Sequence, residues 1–175
     1  MKINLTFENI ITDIRQLAIN VNSSTTKYDA IIAIAGGGLI PARLIRNYLN
    51  IPIYTVNIKF YNNKHEKNEL PEVVQWLSER EISKLNGKNI LVVDDLDDTR
   101  GTLLHILHIL HSLNKYSFRQ IGVATLYNKQ KVKCGDIPDF CEYFIVREIE
   151  NHWVNFPWDI NCDLSLENYC DNETI

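Results

Sequence analysis

An open, mainly parallel α/β sheet flanked by helices is the fold class the sequence predicts, on three observations. Short apolar runs alternate with segments of helical periodicity. Those runs are unbroken and of strand length, the pattern of strands buried on both faces. Two of them end abruptly, one in three consecutive glycines and one in four carboxylates within five residues. With 45% hydrophobic and 23% charged residues in 175, the chain reads as one globular domain, not a disordered, collagen-like or coiled-coil protein.

Phe7, Ile10, Ile11, Ile14, Leu17, Ala18 and Val21 recur at helical spacing, and the run Asn22-Ser23-Ser24-Thr25-Thr26 breaks the pattern, so residues 7–21 are predicted as a helix. The apolar run from Tyr28 to Ala35 reads as a buried strand that stops in Gly36-Gly37-Gly38. Pro41 opens a second helical pattern through Leu44, Ile45, Tyr48 and Leu49, ending at Asn50. A strand from Ile51 to Phe60 follows. The polar stretch Tyr61 to Glu69 reads as a mobile loop, and Val73 to Leu85 as a short helix carrying Trp76. Gly87-Lys88-Asn89 turns the chain into the buried strand Ile90-Leu91-Val92-Val93, which runs into Asp94-Asp95-Leu96-Asp97-Asp98. Thr102 to Leu113 is then a helix, with further strands at 121–127 and 143–146.

The net charge of −4 excludes a protein whose main business is coating nucleic acid or anionic membrane. Residues 1–8 lack the apolar region of a signal peptide, and no stretch approaches the roughly 18 apolar residues of a membrane span, so a cytoplasmic protein is expected. Cys134, Cys141, Cys162 and Cys170 have neither CxxC spacing nor nearby histidine pairs, which predicts reduced thiols and no structural zinc. After Arg147 there is no Lys or Arg, and Glu148, Glu150, Asp159, Asp163, Glu167, Asp171 and Glu173 make that end an acidic, solvated tail.

Ligands of such sheets bind beyond the carboxyl ends of the strands. There, Gly36 to Gly38 expose backbone N–H groups and run straight into a helix, which suits an anion, although a tight structural turn would use the same residues. The missing Gly-Lys-Ser/Thr ending excludes a P-loop. Clustered carboxylates raise one another's pKa unless a cation or ligand compensates, and at a strand end they suit Mg²⁺ bridging to substrate oxygens. Directly after them, Thr99-Arg100-Gly101-Thr102 offers hydroxyls, N–H groups and a guanidinium at a helix start, a phosphate cradle. Carboxylates for a diol or metal beside such a cradle describe a reader of ribose 5-phosphate.

The stretch Ile90 to Leu103 resembles the 5-phosphoribosyl pyrophosphate (PRPP) signature of type I phosphoribosyltransferases, two acids followed by Asp-Thr-Gly-Gly-Thr after an apolar strand. Gly37-Gly38-Leu39-Ile40-Pro41-Ala42, Lys129, and Trp153-Val154-Asn155-Phe156-Pro157-Trp158-Asp159 are most similar to the xanthine-guanine branch of that family. The resemblance spans about residues 28–160. It implies a single domain over 1–175, with a core at about 28–147, a small base-binding hood at about 148–160 and the acidic tail at 161–175.

The resemblance further implies transfer of ribose 5-phosphate from PRPP to a 6-oxopurine, with Mg²⁺ on the PRPP and pyrophosphate released. Asp94 and Asp95 would hold the ribose diol, with Asp95 the better metal ligand. Asp98 would face purine N7, as general base or as a carboxylate offsetting the positive purine. Asp98, Thr99, Arg100, Gly101 and Thr102 would bind the 5-phosphate, and Ala35, Gly36, Gly37 and Gly38 the pyrophosphate. Tyr61 corresponds to a mobile loop that covers the reacting centre and excludes water. Lys129 would donate to the exocyclic oxygen, Trp153 would stack on the base, and the Val154 carbonyl would accept from a 2-amino group. The family's usual assembly implies a homodimer or homotetramer. Two departures stand out: Gly36 replaces the usual arginine of the pyrophosphate loop, and Arg100 replaces the first glycine of the phosphate loop, where it could serve as a phosphate ligand.

Two other readings compete. Ile90 to Asp95 also resembles the first strand of a response-regulator receiver, but here that strand lies mid-chain after a full strand-helix-strand unit. A PRPP- or nucleotide-sensing regulator on the same fold is the stronger rival; Asp98, Lys129 and Trp153 argue against it, as does the lack of a DNA-binding extension. His105, His108 and His111 share a helix face without a carboxylate or cysteine at ligand spacing, so a solvated or subunit-facing surface is expected, not a metal site.

Overall fold

In the computed structural model, which describes residues 2–61, 67–113 and 115–159, the elements run β1 (Lys2–Asn4), α1 (Phe7–Asn22), β2 (Ala30–Ile34), α2 (Leu39–Leu49), β3 (Ile53–Tyr61) and β4 (Lys67–Gln75). They continue with α3 (Glu79–Leu85), β5 (Asn89–Asp97), α4 (Gly101–His111), β6 (Gln120–Gln130), β7 (Cys141–Glu150) and β8 (Trp153–Asn155). A six-stranded sheet has the order β4-β3-β2-β5-β6-β7, parallel throughout except for the edge pair β3–β4. A separate two-stranded sheet pairs β1 with β8 in parallel, joining the two ends of the described chain.

The unbroken apolar strands are explained by the layers on either side. Ile31 and Ala33 of β2, with Leu91 and Val93 of β5, pack on Ile10, Ile14, Leu17, Ala42 and Ile45 of α1 and α2. The alternate residues Ala30, Ile32, Ile34, Ile90 and Val92 pack on Ile82, Leu85, Leu103, Ile106 and Leu107 of α3 and α4. A period-2 strand between two apolar helix layers must be apolar at every position, and β2 is buried along its whole length. Asp13 of α1 ties that layer to the sheet: it is buried, accepts from Tyr127 Oη at 2.6 Å and pairs with Arg147 at 2.7 Å.

Two expectations need correction. Val73 to Leu85 is not one helix: β4 runs to Gln75, Trp76 lies in the connection, and α3 begins only after Ser78, which caps it in a reciprocal box with Glu81. The polar stretch 61–69 is not all loop, since Tyr61 ends β3 and pairs with Lys67 of β4; residues 62–66 lie outside the described residues. β7 continues to Glu150, and β8, which leaves the main sheet to pair with β1, lies within the stretch of about 148–160. The acidic tail from 161 lies outside the described residues. Among the described residues, no helix is long and apolar enough to cross a membrane.

Candidate active site

The two unusual strand ends lie side by side, because β2 and β5 are neighbours in register (Ala33 opposite Val93). Past β2, the Ala35 N–H donates to Val56 O at 2.6 Å, and Gly36 turns the chain with φ +98, a value that disfavours any side chain. The departure from arginine at this position thus coincides with a left-handed backbone. Gly38 is required for a different reason: a Cβ there would lie 2.6 Å from Val93 O and 2.7 Å from Ile34 O. Helix α2 starts immediately after it with no side-chain cap, leaving its first N–H groups for another acceptor.

Past the apolar part of β5, Asp94 and Asp95 point to different surroundings. Asp94 lines a cavity of about 170 Å³, shared with Leu96 to Leu103 and Cys134. Burial, and then the neighbouring charge of Asp95, push its carboxyl well above the usual range. Asp95 lies against the glycine loop, where a Cβ on Gly37 would come within 1.9 Å of its Oδ2. Burial, joined by the charge of Asp159, raises Asp95 to about 6. The indole of Trp158 approaches closely enough to offset part of that rise, yet among the described residues its Nε1 is buried without a partner in hydrogen-bond geometry. Trp158, given no role from the sequence, and Asp159, read there as part of an acidic solvated stretch, therefore lie beside Asp95.

Thr99, Arg100, Gly101 and Thr102 form the cavity wall at the start of α4. This helix start is also uncapped, with Arg100 in left-handed backbone at φ 68. The Arg100 side chain does not project into the cavity as a free guanidinium: its Nε donates to buried Asp97 at 2.8 Å, and its guanidinium lies 5.3 Å from the centre of the Tyr143 ring.

Asp98, at the rim of the same cavity, faces two lysines. Lys129 Nζ, buried at the end of β6, lies 3.1 Å from Asp98 Oδ1, and Lys131 Nζ lies 3.2 Å from the same oxygen. Partial burial would raise the Asp98 pKa, but hydrogen bonds and charge from Lys129 and Lys131 outweigh it and hold the carboxyl below the usual range. The structure thus joins Asp98 to Lys129 on a separate strand, and adds Lys131 and Lys133, which sequence reasoning missed. Their signal was the pattern Lys129-x-Lys131-x-Lys133 directly after a buried strand.

The other residues singled out from sequence are less closely assembled. Trp153 is 66% exposed in β8 and lies outside the cavity lining. Val154 is buried; since Leu5 N–H donates to Asn155 O across the β1–β8 pair, the alternation of a strand turns the Val154 carbonyl away from β1. His111 stacks on Phe140 with ring centres 4.9 Å apart, and among the described residues no group of three His, Cys, Asp or Glu side chains could hold a metal unaided.

Two uncapped helix starts, adjacent strand ends and a carboxylate-lined cavity define a class of α/β protein that binds phosphorylated ligands across the top of its sheet. The chain belongs to the family described as the phosphoribosyl transferase domain, which matches residues 5–164. It is 30% identical to xanthine phosphoribosyltransferase 1 of Saccharomyces cerevisiae, covering 89% of this chain and 88% of the relative. Among solved structures, it is similar to a hypothetical protein from Neisseria gonorrhoeae with bound ppGpp (TM-score 0.80, 42% identity, 93% and 91% of the two chains covered). A purine phosphoribosyltransferase from Pyrococcus horikoshii has a TM-score of 0.71 at 29% identity, covering 91% and 95%. The fold is accordingly that of a type I phosphoribosyltransferase.

Proposed function

We propose that the protein is a purine salvage phosphoribosyltransferase: it transfers ribose 5-phosphate from PRPP to a 6-oxopurine, giving the nucleoside 5′-monophosphate and pyrophosphate. The observation that carries this reading is the Asp98–Lys129 pair at 3.1 Å beside the uncapped start of α4. It sets a base-reading cation and an acid next to a phosphate cradle.

The N–H groups and hydroxyls of Thr99 to Thr102 take the 5-phosphate, and Ala35 to Gly38 with the start of α2 take the pyrophosphate. Asp94 holds the ribose hydroxyls from the cavity wall. Lys129 donates to the exocyclic oxygen of the base, and because an ammonium cannot accept from an amino group, adenine is disfavoured. Trp153 offers its exposed face for stacking, and the Val154 carbonyl accepts from a 2-amino group. Asp98, held ionised by two lysines, is a weak base; it accepts a hydrogen bond at N7 and offsets the positive charge that develops as the new C–N bond forms. Tyr61 ends β3, and the covering role expected of the stretch after it falls on residues 62–66, outside the described residues.

Mg²⁺ fits this donor set. Asp94 and Asp95 are carboxyls whose burial a cation would relieve, and a metal here needs substrate oxygens to complete its shell, the habit of Mg²⁺. Asp94 and Asp95 would hold it, and when bound it would neutralise pyrophosphate charge. A homodimer or homotetramer is the expected assembly, with exposed Phe7, Ile11 and Ile19 of α1 as apolar surface for a subunit contact; sedimentation velocity reads this directly. ppGpp, found on the Neisseria relative, combines guanine with pyrophosphate groups and would compete with PRPP for the same site.

The test is pyrophosphate release from PRPP and Mg²⁺ with guanine, hypoxanthine, xanthine or adenine. Release with the oxopurines is expected; no release with any base would sink the enzyme reading and leave a ligand-sensing protein on the same fold.

A further inference from the structure

The departure Arg100 has a partner that the sequence did not disclose. Asp97 carries a fully buried carboxylate, which needs ionic and hydrogen-bonding partners to be tolerated. It has three: Arg100 Nε at 2.8 Å, Tyr143 Oη at 2.7 Å and Lys133 Nζ at 3.3 Å. Lys133 does more than neutralise. Its Nζ donates to the backbone carbonyls of Asp97 at 2.7 Å and Asp98 at 2.8 Å, and the next residue, Cys134, donates its N–H to Thr99 O at 2.9 Å. Three consecutive carbonyls of the phosphate loop are thereby drawn toward residues 133–134. In a trans peptide the following N–H points the opposite way, so this arrangement also sets the direction of the Thr99 and Arg100 amides. Arg100 adds a contact to Gly135 O at 3.4 Å and lies over the Tyr143 ring.

We propose that Asp97, Arg100, Lys133 and Tyr143 form a positioning lock that fixes the 5-phosphate loop in its anion-binding form. Arg100 then acts on PRPP through the loop backbone and is not itself a phosphate ligand. This rests on the phosphoribosyltransferase reading above. The lock explains how a residue with a side chain occupies a left-handed position at which the family signature has glycine: the inward guanidinium holds a conformation that glycine would adopt freely. It also couples Arg100 to Asp97 as one unit. A direct phosphate ligand would need its guanidinium free, and here Asp97 competes for it.

The experiment measures PRPP affinity by calorimetry on the full chain with Mg²⁺, alongside separate KM values for PRPP and purine, in Asp97→Asn, Tyr143→Phe, Lys133→Met, Lys133→Arg and the double variant Asp97→Asn/Arg100→Gly. Loss of a charge-assisted hydrogen bond in the lock is expected to weaken PRPP binding about tenfold in Asp97→Asn and Lys133→Met and several-fold in Tyr143→Phe, with the purine KM little changed. Lys133→Arg is expected to retain most of the affinity. The double variant is expected to be no weaker than Asp97→Asn alone, because both changes break one unit. Tyr143→Phe and Lys133→Arg keep the test open if Asp97→Asn fails to fold. Unchanged or tighter PRPP binding in Asp97→Asn and Tyr143→Phe would overturn the lock and make Arg100 a ligand held back by Asp97. Equal weakening of PRPP and purine binding would overturn it too, reducing the cluster to fold stability. Either result stands apart from a wild-type protein that releases no pyrophosphate, which would overturn the function itself.

Discussion

Helices α1 and α3 begin differently from α2 and α4, and the difference marks the site. Thr6 and Asn9 close a capping box on α1, and Ser78 and Glu81 close one on α3. Gly38 and Arg100, at the starts of α2 and α4, supply no side-chain cap. A capped start satisfies its own N–H groups and serves the fold. An uncapped start directly after a buried strand leaves those groups for a ligand, and here the two uncapped starts belong to the helices that follow adjacent strands β2 and β5. Stability and function have thus been assigned to different helix ends.

The sharpest way to break this contrast is Gly38→Ala. The added Cβ meets two backbone carbonyls, neither of which can move without parting the ends of β2 and β5. A destabilisation of about 3 kcal/mol in urea unfolding is expected, together with loss of measurable PRPP binding. Wild-type stability and affinity in this variant would show that the loop is not closely packed.

Lys131→Met probes the other side of the site. Asp98 is held below the usual carboxylate range partly by Lys131, so its ionised form persists to low pH. Removing one cation raises the Asp98 pKa, and the acid limb of kcat/KM for the purine is expected to move to higher pH, with activity at neutral pH less affected. A pH profile from the acid limb to neutrality reads this; an unmoved limb would show that another group titrates there.

The smallest effect is expected at the capped ends. Thr6→Ala and Ser78→Ala should each cost about 1 kcal/mol of stability in thermal or urea unfolding. Their kcat and PRPP KM should stay at wild-type values, because these N–H groups face no ligand. A changed PRPP KM in either would erase the distinction between the two kinds of helix start.

The layered core was legible because β2 and β5 are apolar at every position along their shared length, and α1 because its stripe is strictly periodic. The short strand β1 was not, since three residues acquire a strand's identity only by pairing with β8 far along the chain. β4 was misread because Val73, Val74 and Trp76 suit a helix or an edge strand equally, and only the pairing with β3 decides. Within the site, the acidic run and the glycine loop stood out because both are rare at strand ends. The burial of Asp97 within that run did not, as it depends on Tyr143 and Lys133 from other segments. Lys131 likewise looks like an ordinary surface charge until β6 carries it to Asp98.

The most direct measurement supplies PRPP and Mg²⁺ with an equimolar mixture of guanine, xanthine, hypoxanthine and adenine, and identifies the nucleotides formed by chromatography. The expected result is 5′-monophosphates of the oxopurines with little or no adenosine monophosphate, because Lys129 beside Asp98 can donate to an exocyclic oxygen but cannot accept from an amino group. Adenosine monophosphate as the main product, or no nucleotide at all, would contradict the account.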